Sequence, residues 1–194
     1  MSRQATSVGD LSLNAWQEAR RRMRFIRSQL RCSAVSVGVL AGFLAYTVYV
    51  PATPRLVWNT SASAPIGLYF IRPKTRVLRG DTVIARVPQA MRKLAAWRHY
   101  LPENVPLVKR VAATPGDKIC GIGPAIFVNG RRVVTRLRVD ARGRSMPWWH
   151  GCKTLRQREF FLLMDGHTAS FDGRYFGITS ASDILGTARL LWTY

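Results

Sequence analysis

Residues 33–50 read SAVSVGVLAGFLAYTVYV and contain no charged side chain. Because an α-helix rises 1.5 Å per residue, a run of this length spans about 27 Å, close to the roughly 30 Å hydrocarbon core of a bilayer. The run is longer than the roughly 7–15 apolar residues of a cleaved signal peptide, and Tyr49-Val50-Pro51 is a poor cleavage site. We therefore predict a retained membrane anchor that Pro51 and Pro54 end; a buried core helix is the alternative.

The residues before this run are rich in arginine. Residues 11–31 have apolar side chains at loosely helical spacing, which predicts a basic helix lying on the membrane surface. Positive charge next to a spanning helix favours the cytoplasmic side, so the chain beyond residue 50 is expected outside the cytoplasmic membrane. The predicted organisation is a basic cytoplasmic segment at 1–32, a transmembrane anchor at 33–50 and an exported domain at 51–194. The arginines nearest the anchor are Arg20, Arg21, Arg22, Arg24, Arg27 and Arg31.

The formal net charge of +20 is extreme for 194 residues. Such a charge suggests contact with nucleic acid, anionic lipid or an acidic partner, although it does not determine a fold. The three cysteines are too widely spaced for a zinc motif. Export of the domain after residue 50 would place Cys120 and Cys152 in an oxidising compartment, where they can form a disulfide; two ordinary thiols are the alternative.

Short apolar or β-branched runs bounded by turn residues dominate the region after residue 50, which predicts a mostly β domain. Asn129-Gly130 between two such runs is a strong hairpin signal. Trp148-Trp149 suggests an exposed apolar patch at the lipid interface. One segment, residues 88–101, has a helical pattern, and the predicted strands are residues 81–87, 106–113, 125–134 and 159–164.

Four stretches occur in an order that carries functional information: SASAP at 61–65, RGDTVIA at 79–85, VKRVAATPGDKI at 108–119 and MDGHTASFDGRYFG at 164–177. Together they resemble the conserved boxes of the type I signal peptidases, which are serine proteases with a Ser-Lys dyad. The resemblance covers most of residues 57–190. The SAPIGLY ending of the first box and the short chain look more like the TraF-type conjugative transfer peptidases. The resemblance implies a signal-peptidase-like β domain on a single membrane helix.

The resemblance assigns roles to three residues of the first and third boxes. Ser63 matches the nucleophile, Ser61 the hydroxyl of the oxyanion hole and Lys109 the general base. A lysine can serve as a base when burial lowers its pKa, and the apolar residues around Lys109 are consistent with this. Strand alternation places Arg110 on the opposite face. A flexible linker is the alternative for the serines, and a solvated surface residue is the alternative for Lys109.

The fourth box would support the dyad. By the match, Ser170 corresponds to the serine that hydrogen-bonds the lysine amine, and Asp172 and Arg174 correspond to a supporting ion pair. Two residues apart on a strand, Asp172 and Arg174 would face the same side; a surface pair of little energetic value is the alternative. Gly166-His167 replaces the Asn-Arg of the family.

A histidine mechanism is the chemical alternative to the dyad. His99, His150 and His167 are available for it, but the sequence contains neither HExxH nor C-x-x-C. We therefore expect no metal and no cofactor.

The resemblance implies a serine endopeptidase in the bacterial inner membrane, with its catalytic domain in the periplasm. Its expected substrate is a membrane-tethered pilin precursor, matured for conjugative transfer or type IV secretion with or without cyclisation. The expected partners are this precursor, the lipid bilayer and other conjugation or type IV secretion proteins; nucleic acid is not required. The alternatives are a general signal peptidase and a non-enzymatic basic membrane protein of a DNA-transfer channel.

Overall fold

The computed structural model describes residues 8–49, 55–73 and 76–193. The chain divides into two compact units between residues 52 and 53. The first contains one helix, α1 (Val8–Tyr49), and its part Ala19–Tyr49 is long and apolar enough to cross a membrane. Residues 11–31 are helical as predicted, but they continue into the apolar run without a break, because no proline or glycine lies between the two segments. Residues 50–54, including Pro51 and Pro54, lie outside the described part.

The second unit is mostly β, as predicted. Two short helices, α2 (Gln89–Trp97) and α3 (Gly173–Phe176), accompany the strands. The strands are β1 (Leu56–Asn59), β2 (Gly67–Arg72), β3 (Thr82–Ala85), β4 (Leu107–Ala113), β5 (Lys118–Ile122), β6 (Ala125–Val128), β7 (Arg131–Thr135), β8 (Gly151–Thr154), β9 (Glu159–Leu163), β10 (Ile178–Ser180) and β11 (Ile184–Thr193).

These strands form two sheets. The larger has seven strands in the order β1-β2-β11-β3-β4-β9-β10, and the smaller has four in the order β7-β6-β5-β8. Every pairing between these strands is antiparallel. The last strand, β11, lies between β2 and β3 and pairs with both.

The apolar residues of the large sheet form two clusters, one on each face of its central strands. Val83, Leu107 and Val111 belong to one cluster, while Ile84 and Val108 belong to the other. This alternation follows from the period of two in a β-strand. A third cluster contains residues of the small sheet together with Phe161 and Leu163 of β9, so it packs the two sheets against each other.

The small sheet contains the predicted hairpin and disulfide. Asn129 and Gly130 join β6 to β7 and both have positive φ, at 50° and 79°, as a tight two-residue hairpin turn requires. Cys120 on β5 and Cys152 on β8 lie directly opposite each other and form a disulfide. Both predictions are confirmed.

The prediction for Trp148-Trp149 is wrong. Both rings are half-buried, and Trp149 packs against the hydrophobic cluster of the small sheet, edge-on to Phe161. Its Nε1 donates to the carbonyl oxygen of Gly173 at 2.9 Å, and the Arg136 guanidinium lies over both indole rings. The pair therefore stabilises the interior of the domain, where aromatic area and a satisfied indole N–H both contribute.

Candidate active site

Ser61 and Ser63 lie in the loop that joins β1 to β2, residues 60–66. Ser63 is half-buried and Ser61 is exposed. Ser61 Oγ lies 2.9 Å from Ser63 Oγ and accepts a 3.4 Å hydrogen bond from the Ser63 backbone N–H. The two hydroxyls therefore share one turn, as the resemblance implied, and this loop is not a free linker.

Lys109 lies on β4, as predicted, and only 3% of the residue is exposed. Directly opposite it on β3 is Val83, and on its own strand Leu107 and Val111 share its face. The neighbouring residue Arg110 is exposed on the other face, as the alternation predicted. The surface alternative for Lys109 is therefore contradicted.

Two hydroxyls hold the lysine amine in place. Lys109 Nζ is hydrogen-bonded to Ser63 Oγ at 2.8 Å and to Ser170 Oγ at 2.9 Å. Burial lowers the pKa of Lys109 from its ordinary value of 10.5 to about 8; the Asp172 charge opposes this shift and the Arg174 charge adds to it. Desolvation has the larger effect because removing water disfavours the charged ammonium. A substantial fraction of the amine is thus neutral at mildly alkaline pH.

Asp172 and Arg174 lie beside this pair but not on a strand. Asp172 is the N-cap of α3 and accepts the Arg174 backbone N–H at 3.1 Å, so the predicted strand at this point is wrong. Asp172 itself is extended, as an N-cap residue usually is, but the helix begins directly after it, where the first N–H groups need an acceptor. Both side chains are buried, which also contradicts the surface alternative.

The ion pair also braces the loop that carries Ser170. Asp172 Oδ2 accepts the Met164 backbone N–H at 3.0 Å. Arg174 donates to the carbonyl oxygens of Met164 and Thr168 at 2.7 and 3.0 Å. The loop from 164 to 172 is therefore fixed at both ends, and Ser170 is held against the lysine.

The three histidines do not form a second centre in the part of the chain that the structure describes. His167 lines the same cleft as Ser63 and Lys109, but its Nδ1 is buried without a hydrogen-bond partner among the described residues. Those residues also include no group of three or more His, Cys, Asp or Glu side chains that can hold a metal ion.

The cleft beside Ser63 encloses about 330 Å³. A larger concavity, of about 680 Å³, lies elsewhere and contains Arg76, Arg79 and Arg158 but none of the serines or Lys109. The smaller cleft is therefore the candidate site because of the reactive side chains that line it, and not because of its volume. The wall of the 330 Å³ cleft is largely apolar and includes Leu101, Val105, Leu137, Val139, Met146 and Phe171.

Two residues of the site were missed by the sequence reasoning. Asn59, the last residue of β1, is almost buried and bonds the serine loop through its side-chain amide. Tyr69 on β2 donates its hydroxyl proton to the Pro65 carbonyl oxygen at 2.9 Å. A polar residue ending an apolar strand, next to Ser-x-Ser, was the available signal for Asn59.

A serine hydroxyl bonded to a buried lysine amine is an arrangement that supports nucleophilic attack by the serine, with the lysine as its base. The chain belongs to the family described as signal peptidase, peptidase S26, whose sequence profile matches residues 27–193.

Several curated relatives are similar to this chain. The plasmid transfer protein TraF of Escherichia coli is 31% identical over 146 residues, covering 70% of this chain and 82% of its own length. A conjugal transfer protein TraF of Agrobacterium fabrum is 32% identical over 146 residues, covering 70% and 81%. A second Escherichia coli plasmid transfer protein TraF is 30% identical over 182 residues, covering 89% and 100%.

A crystal structure of a signal peptidase I from Enterococcus faecalis is similar to 58% of this chain and 97% of its own, with 16% identity and a TM-score of 0.36.

Proposed function

We propose that this protein is a membrane-anchored serine endopeptidase of the signal peptidase type, with Ser63 as nucleophile and Lys109 as general base. The observation that carries the proposal is the 2.8 Å hydrogen bond between Ser63 Oγ and the buried Lys109 amine. Neutral Lys109 takes the hydroxyl proton as Ser63 Oγ attacks the scissile carbonyl carbon. The Lys109 ammonium then gives this proton to the amide nitrogen, the C–N bond breaks, the amine product leaves and the acyl-enzyme remains. Arginine cannot replace this base, because a guanidinium stays charged.

The other site residues have supporting roles in this mechanism. Ser61 Oγ and the Ser63 backbone N–H lie together and can donate to the oxygen that becomes negative in the tetrahedral intermediate. Ser170 orients the lysine amine, and the Asp172–Arg174 pair holds the loop that carries Ser170. No cofactor enters any step.

The substrate we propose is an extended segment of a membrane-tethered precursor. Strand β1 lies at an edge of the large sheet and leads directly into the serine loop, so an added peptide strand can reach Ser63 from this edge. Small residues such as alanine at the cut would fit beside the small residues of this loop. The apolar wall of the cleft accommodates side chains further along the same peptide.

We also propose an inner-membrane location with the domain after residue 50 in the periplasm. The helix Ala19–Tyr49 fits a membrane anchor, and the arginines before the apolar run favour a cytoplasmic N-terminus. A periplasmic reporter fused after Tyr194 should be active. Activity of a fused reporter that works only in the cytoplasm would contradict this orientation.

The names of the relatives support a role in conjugation, for which the proposed substrate is a pilin precursor. After cleavage the acyl-enzyme can be attacked by water or by the amino group of the same chain; the second reaction gives a cyclic product. The test is the mass of the candidate pilin precursor after incubation with membranes containing this protein. The Ser63→Ala and Lys109→Ala variants are controls that should leave the precursor intact.

Each outcome of this experiment has a distinct meaning. A product one water lighter than the cleaved linear chain supports cyclisation, and the full mass of the linear chain supports hydrolysis. If the wild-type protein leaves the mass of the precursor unchanged, the pilin proposal is contradicted.

Two other functions remain to be separated by experiment. A general signal peptidase would cleave several unrelated precursors, which substrate profiling measures. The +20 charge favours a basic protein that contacts DNA, for which salt-dependent DNA binding by Ser63→Ala is the matching result.

A further inference from the structure

The side chain of Asn59 is joined to the serine loop by four contacts while only 7% of the residue is exposed. Its Nδ2, which carries two protons, lies 3.0, 3.2 and 3.0 Å from the carbonyl oxygens of Ser61, Ala64 and Pro65, so one proton is shared between two of these acceptors. Its Oδ1 accepts the Ser61 backbone N–H at 3.1 Å. One amide therefore bonds the backbone on both sides of Ser63.

The loop has few other constraints. Within residues 60–66 one backbone hydrogen bond is recorded, from the Ala64 N–H to the Ser61 carbonyl oxygen at 3.3 Å. From outside the loop, Tyr69 bonds Pro65, Lys109 bonds the Ser63 hydroxyl, and Ala64 packs in the cluster of Ile84 and Val108. Apart from the Tyr69 bond, none of these ties holds a carbonyl group of the loop. Ordering each residue costs backbone conformational entropy, so a loop of small residues needs such ties to keep one conformation.

The pairing of β1 with β2 fixes the backbone of Asn59. Asn59 is paired with Gly67 across β1 and β2, so it lies where the loop leaves and rejoins the sheet. A Cβ on Gly67 would lie 2.0 Å from the Trp192 carbonyl oxygen, which shows how closely β11 packs on this end of the hairpin. The Asn59 backbone is thereby held by the sheet, while its side chain extends over the loop.

We infer that Asn59 is a positioning residue that sets the conformation of the Ser61–Ala64 turn. This inference rests on the proposed function. By fixing the carbonyl groups on either side of Ser63, Asn59 keeps Ser63 Oγ within hydrogen-bond distance of Lys109. It also keeps Ser61 Oγ beside the Ser63 N–H, where both can face a developing oxyanion. Displacement of a reactive group by about 1 Å can lower the reaction rate about 10²-fold.

The contacts of Asn59 distinguish this role from that of the dyad. None of the hydrogen bonds recorded for the described residues joins the Asn59 side chain to Lys109 or Ser170. Removing the amide should therefore lower the rate without moving the pH at which the lysine loses its proton. Loss of Ser170, in contrast, alters the surroundings of the amine itself.

The test compares Asn59→Ala with Asn129→Ala in the full-length protein in detergent micelles. Asn129 is a matched control, because its side-chain amide also bonds local backbone and side-chain groups, accepting the Lys118 N–H at 2.8 Å and donating to Asp117 at 2.9 Å. It belongs to the β6–β7 turn and lies outside the cleft lining. The substrate is the pilin precursor used to test the proposed function.

The measured quantity is the single-turnover rate constant with enzyme in saturating excess, which does not depend on the folded fraction. We expect Asn59→Ala to lower this constant by about 10- to 100-fold. Asn129→Ala should leave it within about twofold of the wild-type value, even if it lowers the thermal midpoint. The midpoint of the pH–rate profile should be the same in Asn59→Ala and in the wild type.

Asn59→Asp is the second variant, in case the alanine protein does not fold. The aspartate keeps the size of the side chain and an acceptor for the Ser61 N–H, but it has no proton to donate to the three carbonyl oxygens. We expect the same loss of rate.

Three results would overturn the inference: a wild-type rate constant in either Asn59 variant, an equal loss in Asn129→Ala, or a shifted pH midpoint in Asn59→Ala. These differ from failure of the proposed function, in which the wild-type protein itself shows no Ser63-dependent cleavage.

Discussion

Arg174 Nε donates to Asp172 Oδ1 at 2.8 Å, with only 1% of the arginine side chain and none of the aspartate side chain exposed. This buried ion pair is unlike an ordinary surface pair, because every polar atom must find its partner inside the protein. The Asp172 carboxylate does so through the backbone N–H groups of Met164 and Arg174. The pair thus links α3 to the loop that carries Ser170.

The first prediction follows from this burial. Asp172→Asn leaves the Arg174 charge buried without its counter-charge, so we expect the free energy of unfolding to fall by about 3–5 kcal/mol. Asp183→Asn is the matched control, since the Arg92–Asp183 pair is also close, at 2.6 Å, but partly exposed. It should cost only about 1 kcal/mol. Denaturant unfolding in micelles measures both values, and equal losses would contradict a special role for the buried pair.

The second prediction concerns the pH dependence of cleavage. Because the base must be neutral, the rate should be low in acid, rise tenfold per pH unit, and level off above the Lys109 pKa of about 8. The pH–rate profile of kcat/KM measures this. A midpoint in the ordinary histidine range, near 6.5, would favour a histidine mechanism instead.

The third prediction concerns the effect of the lowered Lys109 pKa on the free energy of unfolding. The folded state lowers the pKa of Lys109 from 10.5 to about 8, so the unfolded chain binds more protons between these two values. Burial of the Lys109 amine therefore lowers the free energy of unfolding by its full amount below pH about 8. This destabilisation decreases as the pH rises from about 8 to about 10.5.

Lys109→Met removes that penalty, and it should raise the free energy of unfolding at pH 7 by roughly 1–3 kcal/mol while abolishing cleavage. The gain should shrink as the pH approaches 10.5. Unfolding curves at pH 7 and pH 10 provide the measurement. A variant less stable than the wild type at pH 7 would show that the hydrogen bonds of the amine outweigh its desolvation.

The fourth prediction separates the proposed oxyanion donor, Ser61, from His167. Ser61→Ala removes the proposed donor and should lower kcat by about 10²–10³-fold, with a small effect on KM. His167→Ala, a neighbour in the same cleft, should retain most of the activity because no recorded hydrogen bond joins its side chain to Ser63 or Lys109. Steady-state kinetics of the two variants, measured side by side, test both statements. Equal inactivation would point to a catalytic histidine.

The fifth prediction concerns the disulfide of the small sheet. Replacing Cys120 and Cys152 together with alanine opens a loop with a sequence separation of 32 residues and should cost about 3–4 kcal/mol of stability. Cys32→Ala, which removes a free and exposed cysteine, should cost almost nothing. Thermal unfolding of the three proteins makes the comparison. Unchanged stability in the double variant would show that cross-strand packing alone holds β8.

Much of the domain could be predicted from local patterns. The β4 strand, the Asn129-Gly130 hairpin and the membrane-length helix depend on short-range periodicity and turn chemistry, which the sequence displays directly. Strands β1, β2, β5, β8, β10 and β11 were not predicted. Around the serines the residues are small or proline, and only their flanks are β-branched or aromatic. The pairing of β2 with β11 joins residues that are far apart in sequence, so no local pattern predicts it.

The candidate site, like the fold, could be predicted only in part. The resemblance identified Ser63, Lys109 and Ser170, and the structure brings all three together. It could not reveal that Asp172 caps a helix or that Asn59 bonds the serine loop, because both depend on the direction of a side chain over a turn. The position of Trp149 was misjudged since exposure of a large aromatic residue depends on the sheet beneath it.

The order of strands in the large sheet has a consequence for biosynthesis. The hairpin that presents Ser63 and the strand that presents Lys109 are not neighbours: β11 and β3 lie between them. Residues 184–193, which form β11, follow both Ser63 and Lys109 in the sequence, so the ribosome makes them after the two residues whose separation they help to set. A polypeptide truncated before residue 184 should therefore be inactive even though it contains the hydroxyl and the amine.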